Sequence, residues 1–425
     1  MKYPFKISNF GSSVLKDEPE LSLKESNPMM PFFRMNKTVR RLLFTILVII
    51  IVEAMSWIFR NAGETGREFI FYLRCLALIF IFSFWGFSSH KEWVKNATLS
   101  FVSVSVVLFV IDFVFFIILI SKIPKSDGVW LFPAMVYNQP DKTLGYIPYP
   151  DTTMHSSLSF AGSPVFDIHF TTDKFSHRIN PFDTCKNKSR YAIFFGCSVA
   201  FGQNLDDSET IPARFAQFLP EYHSYNFAYG GYGTQEMLAN LQKPDVRNEI
   251  KEKTGAAFYI FINPHINRAI GDMQTYDAWG SDMPYYYEKD DTLIRDGSFR
   301  NGRWLISHIY TLLGRSSFLK YFKVNLPFKI TEKHYEFVTK MIKESYNQYV
   351  SKFGNTNFYV VIFPGEQLDI VPYLKKEHIK FFDYSKLFDR WSPENCYLPY
   401  DNHPRARADK IFARQLSSDI NKIAL

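Results

Sequence analysis

The stretch Tyr191-Ala-Ile-Phe-Phe-Gly-Cys-Ser198 decides the fold of the larger part of this chain. Its apolar half predicts a short buried strand, and Gly196 permits the tight turn that ends the strand. Similar apolar strands are predicted at Ala256–Ile262, Asn357–Phe363 and Ile379–Asp383. Helices are predicted between and after them at Thr210–Leu219, 331–353 and Arg405–Ile423. Strands that alternate with helices predict an α/β domain over 190–425, with a parallel sheet covered by helices on both faces.

An insertion at 271–330 interrupts this alternation. It contains an aromatic, turn-rich piece at Pro284–Tyr287 and a predicted helix near 303–322. An insertion after the carboxyl end of a strand in an α/β fold usually covers the site, so we expect a lid. Its aromatic residues predict either stacking on sugar rings or packing of the lid itself. They are Tyr276, Trp279, Tyr285, Tyr286, Tyr287 and Trp304.

The apolar residues of the chain are unevenly distributed. Of its 425 residues, 47% are apolar and 18% aromatic, which excludes a disordered or fibrous protein. The mean hydropathy is only −0.14, so the apolar excess must be concentrated in part of the chain. Three long apolar runs carry it, at 42–59, 69–87 and 97–120. Each run is long enough to cross a ~30 Å hydrocarbon core as an α-helix.

Basic residues predict the orientation of these three spans. The first 41 residues hold eight basic and four acidic residues, which accounts for +4 of the net charge of +7. This excess favours a cytoplasmic tail at 1–38 and a multi-pass membrane region at 39–121 in the inner (cytoplasmic) membrane. Three crossings then place an entry segment with β-strands, 122–189, and the α/β domain on the extracytoplasmic (periplasmic) side. The charge is a topology signal and predicts no nucleic-acid partner.

Three ionisable residues, Glu53, Arg74 and Asp112, lie inside the predicted spans. With this topology all three lie roughly 10–14 Å below the outer face, at ~1.5 Å per residue. Because an unpaired charge in lipid is costly, we expect Arg74 to bridge the two carboxylates and hold the helices together. The alternative is a polar site that handles substrate or a proton.

Polar residues suited to acyl chemistry occur at four places. Ser198 ends the strand quoted above, and Asp401 lies two residues before His403, where it can orient that imidazole as a base. The glycine-rich turn around Gly231 presents backbone N–H groups to an anion. Asn263 and His265 follow a predicted strand, where a side chain can donate to a developing oxyanion.

In this chain order the four elements resemble the SGNH (GDSL-like) hydrolase superfamily, in its membrane-anchored bacterial envelope form, over residues 190–425. The resemblance implies a flavodoxin-like three-layer sandwich with Ser198 as nucleophile and His403 and Asp401 as its partners. It implies oxyanion donors at the N–H groups of Ser198 and Gly231, with a third at His265 or Asn263. No cofactor and no metal is predicted.

Several residues depart from the family pattern. Cys197 replaces the Asp of the GDS motif and is a competing nucleophile, and no GxND is present. The Asp–His spacing is DxH, as in SGNH-like domains that acetylate exopolysaccharides. The segment Asn138–Pro150 also looks like bacterial envelope members. A Cys185–Cys396 disulfide is an option if the domain lies outside the cytoplasm.

These features predict a serine esterase acting on O-acyl groups, with acetyl expected, of an envelope glycan or a lipid-linked saccharide. One alternative is an O-acyltransferase that uses the same triad to acetylate an envelope polysaccharide. Another is a non-catalytic envelope assembly protein that keeps the fold. The predicted partners are the lipid bilayer, an acylated saccharide, and an acyl-donor partner in the membrane.

Overall fold

The structure of this chain, a computed structural model, describes residues 36–59, 63–122, 138–160, 162–184, 188–397 and 401–423. Most of the predicted cytoplasmic tail and Cys185 lie outside these residues, so the tail and the Cys185–Cys396 pair stay predictions. The chain divides into two compact units, Met1–Val110 and Ile111–Leu425. The boundary lies within the third apolar helix, whose last turns contact the insertion. The predicted domain bounds stay predictions.

The three predicted apolar runs form the helices α1 (Lys37–Phe59), α2 (Gly63–Phe87) and α3 (Glu92–Ser121). Each is long and apolar enough to cross a membrane. Within the first unit, Arg74 Nη2 of α2 lies 2.9 Å from Glu53 Oε1 of α1. Asp112 belongs to the second unit, so its predicted pairing with Arg74 stays a prediction.

The described residues of the segment expected to contain strands form two antiparallel hairpins before the α/β domain. The first joins β1 (Asn138–Asp141) to β2 (Gly145–Pro148). The second joins β3 (Thr153–Phe160) to β4 (Ser163–Thr171).

The α/β domain follows the predicted alternation of strands and helices. Its elements outside the insertion are β5 (Arg190–Phe195), α4 (Ser198–Phe201), α5 (Ile211–Phe218), β6 (Tyr222–Asn226), α6 (Thr234–Gln242), β7 (Thr254–Phe261) and α7 (Pro264–Ile270). The insertion contains α8 (Met273–Ala278), β8 (Pro284–Lys289), β9 (Thr292–Ser298), α9 (Phe299–Gly302), α10 (Trp304–Gly314) and α11 (Ser317–Tyr321). The chain continues with α12 (Glu332–Phe353), β10 (Phe358–Ile362), α13 (Val371–Lys376), β11 (Phe381–Asp383) and α14 (Ala406–Ile423).

Two details of the insertion differ from the expectation. The piece expected to be turn-rich is strand β8, which pairs antiparallel with β9. Pro284 and Tyr286 are buried while Tyr285 and Tyr287 are half-buried, which is the two-residue period of a strand. The single helix expected near 303–322 is two helices, because Ser316 is extended and caps α11 with its side chain.

The main sheet has five strands in the order β11-β10-β7-β5-β6, and all pairs are parallel. Alternate residues of β5 enter opposite cores. Phe194 packs with Phe215 of α5 and Phe412 of α14 on one face. Ile193 packs with a second core that contains side chains of α6 and α12. The predicted three-layer α/β class is therefore confirmed.

The strand order places a topological switch point between β5 and β7. From β5 the chain moves outward to β6, and it then returns to β7 on the other side of β5. In open α/β sheets, ligands bind outside the carboxyl ends of the strands at such a point. Ser198 follows β5, and Asn263 and His265 follow β7, so this edge is the region where chemistry is expected.

Arg178, in the segment between β4 and β5, braces the turn that carries Ser198. Its guanidinium is buried and donates to the carbonyl oxygens of Phe201 and Gly202 at 3.1 and 2.6 Å, and also to that of Leu205. Its Nε lies 2.8 Å from Asp207 Oδ1. One buried cation therefore satisfies three carbonyl groups and one carboxylate, all within the chain that follows Ser198.

Replacing Arg178 by Met should therefore destabilise the second unit. Loss of one partner of a buried ion pair costs about 3–5 kcal/mol, because the other charge stays buried and unpaired. We expect a lower apparent unfolding temperature of the detergent-solubilised chain for Arg178→Met. The control is Arg407→Met, which removes a solvent-exposed pair with Glu394 and should leave that temperature nearly unchanged. Equal unfolding temperatures for the two variants would contradict the bracing role.

Candidate active site

Ser198 lies at the first turn after β5, as the sequence predicts. Gly196 has a φ of +151°, and Cys197 is the N-cap of α4. A Cβ at position 196 would lie 2.8 Å from the Cβ of Ala200 and 3.1 Å from the carbonyl oxygen of Ile260 in β7. Only glycine therefore allows the chain to turn this close to the neighbouring strand, and the turn brings Ser198 to the carboxyl edge of the sheet.

Asp401 and His403 form the predicted pair. His403 Nδ1 hydrogen-bonds Asp401 Oδ1, and the His403 backbone N–H donates to the same oxygen at 3.0 Å. Burial opposes ionisation of Asp401, but hydrogen bonds from His403 and Asn204 outweigh it and lower the pKa of this carboxyl below its usual value. The carboxylate is thus held charged, the state that orients an imidazole as a base.

Asn204 connects this pair to the segment that carries Ser198. Its side-chain Nδ2 donates to Asp401 Oδ2, and its carbonyl oxygen accepts from Tyr397 Oη at 3.1 Å. Asn204 has a φ of +65° and is buried. The sequence motifs assign this residue no role. The local sequence gives one indication of its conformation. Asn204 lies two residues after Gly202, and asparagine tolerates the left-handed conformation better than most residues.

The hydrogen bond from Asn204 to Asp401 thus joins the Asp401–His403 pair to the segment that begins at Ser198. Among the hydrogen bonds of the described residues, Ser198 Oγ and His403 are not joined. Catalytic hydrogen bonds are often long in unliganded enzymes and tighten around the substrate, so this geometry is compatible with a triad.

Gly231 lies in the turn between β6 and α6 with a φ of +83°. A Cβ there would lie 2.3 Å from Tyr146 Oη and 2.7 Å from Trp279 Nε1. In the part of the chain that the structure describes, no hydrogen-bond acceptor faces the backbone N–H of Gly231 or of Ser198. Both groups are the ones expected to donate to an oxyanion.

Side chains from the entry segment and from the insertion hold the Gly231 turn. Tyr146 Oη donates to the carbonyl oxygen of Gly230 at 2.7 Å, and Trp279 Nε1 approaches that of Gly231 at 3.4 Å. Arg268 lies over the Trp279 ring, with its guanidinium carbon 5.8 Å from the centroid. Trp279 is 37% exposed, so an aromatic surface borders the candidate site.

The two candidates for a third oxyanion donor are placed differently. With its amide oxygen and nitrogen assigned from the hydrogen-bond network, Asn263 pairs with the backbone of Gln367, donating at 3.3 Å and accepting at 2.9 Å. His265 is buried, with Nδ1 2.8 Å from Tyr259 Oη, and its Nε2 has no hydrogen-bond partner among the residues that the structure describes. Burial, and then the charge of Arg268, lower the pKa of His265 well below its usual value, so the ring is neutral. The third donor stays a prediction.

No group of three or more His, Cys, Asp or Glu side chains in the described ranges is arranged to hold a metal ion. Cys396 is buried beside the pair, with Sγ 3.6 Å from the Asp401 carbonyl oxygen. Cys197 and Ser198 are both buried, with relative exposures of 1% and 7%.

Comparison with known proteins finds similarity only among solved structures. No family model and no curated protein matches the chain. A protein assigned to the lipolytic G-D-S-L family from Desulfitobacterium hafniense is 14% identical, with a TM-score of 0.31, covering 54% of this chain and 98% of that one. A G-D-S-L family member from Veillonella parvula is 13% identical, with a TM-score of 0.30, covering 53% and 95%.

An acetyl xylan esterase from Butyrivibrio proteoclasticus is 12% identical, with a TM-score of 0.33, covering 56% of this chain and 64% of that one. The G-D-S-L structures bear the same family description as the sequence resemblance. At such identities and scores, the likeness by itself assigns neither a family nor an activity to this chain.

The lowered pKa of Asp401 makes its contribution to stability dependent on pH. A carboxylate whose pKa is lowered in the folded state stabilises that state above its unfolded pKa, about 3.9, and loses this effect as the pH falls through the folded value. We expect Asp401→Asn to lower the apparent unfolding temperature at pH 7, and the gap to wild type to narrow towards pH 3. A gap independent of pH would contradict a buried, charged Asp401.

Gly231→Ala should impair ester hydrolysis. The added Cβ meets Tyr146 and Trp279, and alanine disfavours the positive φ, so the turn must move its N–H. Loss of one oxyanion donor costs about 10²–10³-fold in kcat. The measurement is kcat and KM with p-nitrophenyl acetate. Gly162→Ala is a control, because its φ is also positive but, apart from its chain neighbours, no atom of the described residues lies within 4 Å of the added Cβ. Equal activities would exclude an oxyanion role for the turn.

Proposed function

We propose that this chain is a membrane-anchored serine esterase of the SGNH type that acts on O-acyl groups. The observation that carries the proposal is the Asp401–His403 pair, held by Asn204 to the segment that presents Ser198. The backbone N–H groups of Ser198 and Gly231, which have no acceptor among the described residues, would stabilise the oxyanion that forms during the reaction.

In the proposed mechanism His403 takes the proton of Ser198 Oγ as that oxygen attacks the acyl carbonyl carbon. Asp401 stabilises the imidazolium that forms. The N–H groups of Ser198 and Gly231 stabilise the oxyanion, and a third donor at His265 or Asn263 completes the predicted hole. His403 then returns the proton to the leaving alcohol, which leaves an acyl group on Ser198. The acceptor attacks this ester, its proton passes through His403, and Ser198 is released.

The acceptor decides between the two enzyme activities. Water gives deacylation, whereas a sugar hydroxyl gives O-acyl transfer to a polysaccharide. The exposed ring of Trp279 beside Gly231 supports a saccharide at the site, since sugar rings stack on aromatic faces. We take an acetylated envelope glycan or lipid-linked saccharide as the substrate, and an acyl-donor partner in the membrane as the requirement for transfer.

The proposed location follows from the charge of the amino-terminal region. An excess of basic residues before α1 keeps that end in the cytoplasm, and three crossings put the α/β domain on the periplasmic side of the inner membrane. An ester-cleaving site there meets envelope glycans as they are assembled.

The decisive test is hydrolysis of p-nitrophenyl acetate by the full chain in detergent. Ser198→Ala should lower kcat/KM by about 10³-fold or more, since removal of the nucleophile abolishes the covalent route. The matched control is Cys197→Ala at the adjacent position, which should retain activity. Loss of activity only in Cys197→Ala would make the thiol the nucleophile.

A second measurement separates hydrolysis, transfer and a non-catalytic protein. The full chain is incubated with an acetyl donor and unacetylated glycans, and free acetate is compared with glycan-bound acetyl. Mostly free acetate supports the esterase, and mostly bound acetyl supports the transferase. If wild type and Ser198→Ala are equally inert here and with several other acyl esters, the assembly role replaces the enzyme.

A further inference from the structure

Helix α10 of the insertion has most of its large apolar side chains exposed. The buried members of this eleven-residue helix are the small residues Ser307 and Gly314. A Cβ at Gly314 would lie 2.7 Å from the Cβ of Asp277. The helix therefore packs closely against the rest of the domain through the face that carries its small residues. Five large apolar residues of the helix are between 46% and 64% exposed, while Tyr310 and Leu313 are half-buried. The five exposed residues are Trp304, Leu305, Ile306, Ile309 and Leu312.

This pattern continues beyond α10. Phe318 and Phe322, in and just after α11, are 38% and 56% exposed, and Phe328 is 78% exposed. A helix in water buries its apolar stripe and exposes its polar residues, and contiguous apolar patches on soluble proteins mark interaction sites. An apolar partner is therefore expected on the face of 304–328.

Within the second unit, α11 is fastened to the last turns of α3. The Asp112 carboxylate of α3 accepts the backbone N–H of Phe318 at 2.9 Å, the N–H of Ser317 at 3.2 Å and the hydroxyl of Ser316. Phe115, one turn later, lies against Phe318 and Tyr321, with centroids 5.2 and 4.8 Å apart. Asp112 thus has partners that the sequence did not predict.

The position of Asp112 shows how far from the end of α3 the insertion is attached. It lies nine residues before the end of α3 at Ser121, which is about 14 Å along the helix axis. Lys122 reaches back from the end of α3 to lie over the Tyr321 ring, with Nζ 4.7 Å from the centroid. Helix α11 therefore runs beside the last turns of a helix that is itself apolar enough to span a bilayer.

We propose that the apolar face of 304–328 is embedded in the lipid bilayer, in the leaflet that contains the carboxyl end of α3. Three observations agree on lipid as the occupant: the face is apolar, it is continuous with an apolar span, and cationic residues border it. Lys323 and Lys329 are exposed beside Phe322 and Phe328. Trp304 at one end and lysines at the rim are the residues that anchor a helix lying in a membrane interface.

The test places a fluorescent amino acid at Ile309 by amber-codon suppression in the full chain, reconstituted in phosphatidylcholine vesicles. The matched control carries it at Ile423, an isoleucine of nearly equal exposure in α14, 44% against 46%. With phospholipids brominated on their acyl chains, we expect the Ile309 probe to be quenched several-fold more strongly than the Ile423 probe. Equal, weak quenching would place the face in water and overturn the proposal.

Two further measurements ask whether the apolar face itself drives insertion and whether a second copy covers it. In a Leu305→Glu/Leu312→Glu background, quenching at Ile309 should fall to the level of the control, because charged residues favour water over hydrocarbon. Unchanged quenching there would show that the face does not drive insertion and would contradict the proposal. Weak quenching with cross-linking between two copies from a photoreactive residue at Leu312 would make the face a contact between chains instead. None of these measurements requires enzyme activity.

Discussion

The close approach of the β5 turn to β7 is the constraint on which the candidate site depends. Parallel strands end at the same edge of a sheet, and the return of the chain from β6 to β7 leaves that edge open between β5 and β7. Because Gly196 lets the chain turn against Ile260, Ser198 begins α4 at this opening. The other parts of the site are brought to this point from elsewhere in the chain.

Buried charges hold these distant parts together. Arg178, which precedes the sheet in sequence, satisfies carbonyl groups just after Ser198. Asp401, which lies far later in the chain, accepts a hydrogen bond from Asn204 in the same segment. Each charge is expensive to bury unless all its partners are present. The Ser198 segment can therefore take few positions other than the one that meets the Asp401–His403 pair.

The insertion contacts both the turn of Gly231 at the candidate site and the last turns of α3. Its helix α8 carries Asp277, which contacts α10 and lies 3.8 Å from Lys320 of α11. Trp279 follows α8 immediately and meets the turn of Gly231. A six-residue helix thus separates the apolar outer face from the candidate oxyanion turn. The lid role of this insertion stays a prediction, and the structure shows that the insertion contacts the last turns of α3.

The amino-acid sequence was enough to predict the three apolar helices, the parallel sheet and the places of Ser198, Asp401 and His403, because local period and turn chemistry depend on near neighbours. The pairing of Asp401 with His403 was predictable for the same reason, since the two are separated by one residue. The folded chain was needed to show that Asn204 and Arg178 support Ser198, that Asp112 caps α11, and that α10 turns its apolar face outward. These contacts join residues far apart in sequence, and the same side chains would fit an ordinary buried helix or loop. Which of these distant groups come into contact depends on how the strands, the helices and the apolar spans pack. No local sequence pattern predicts that packing.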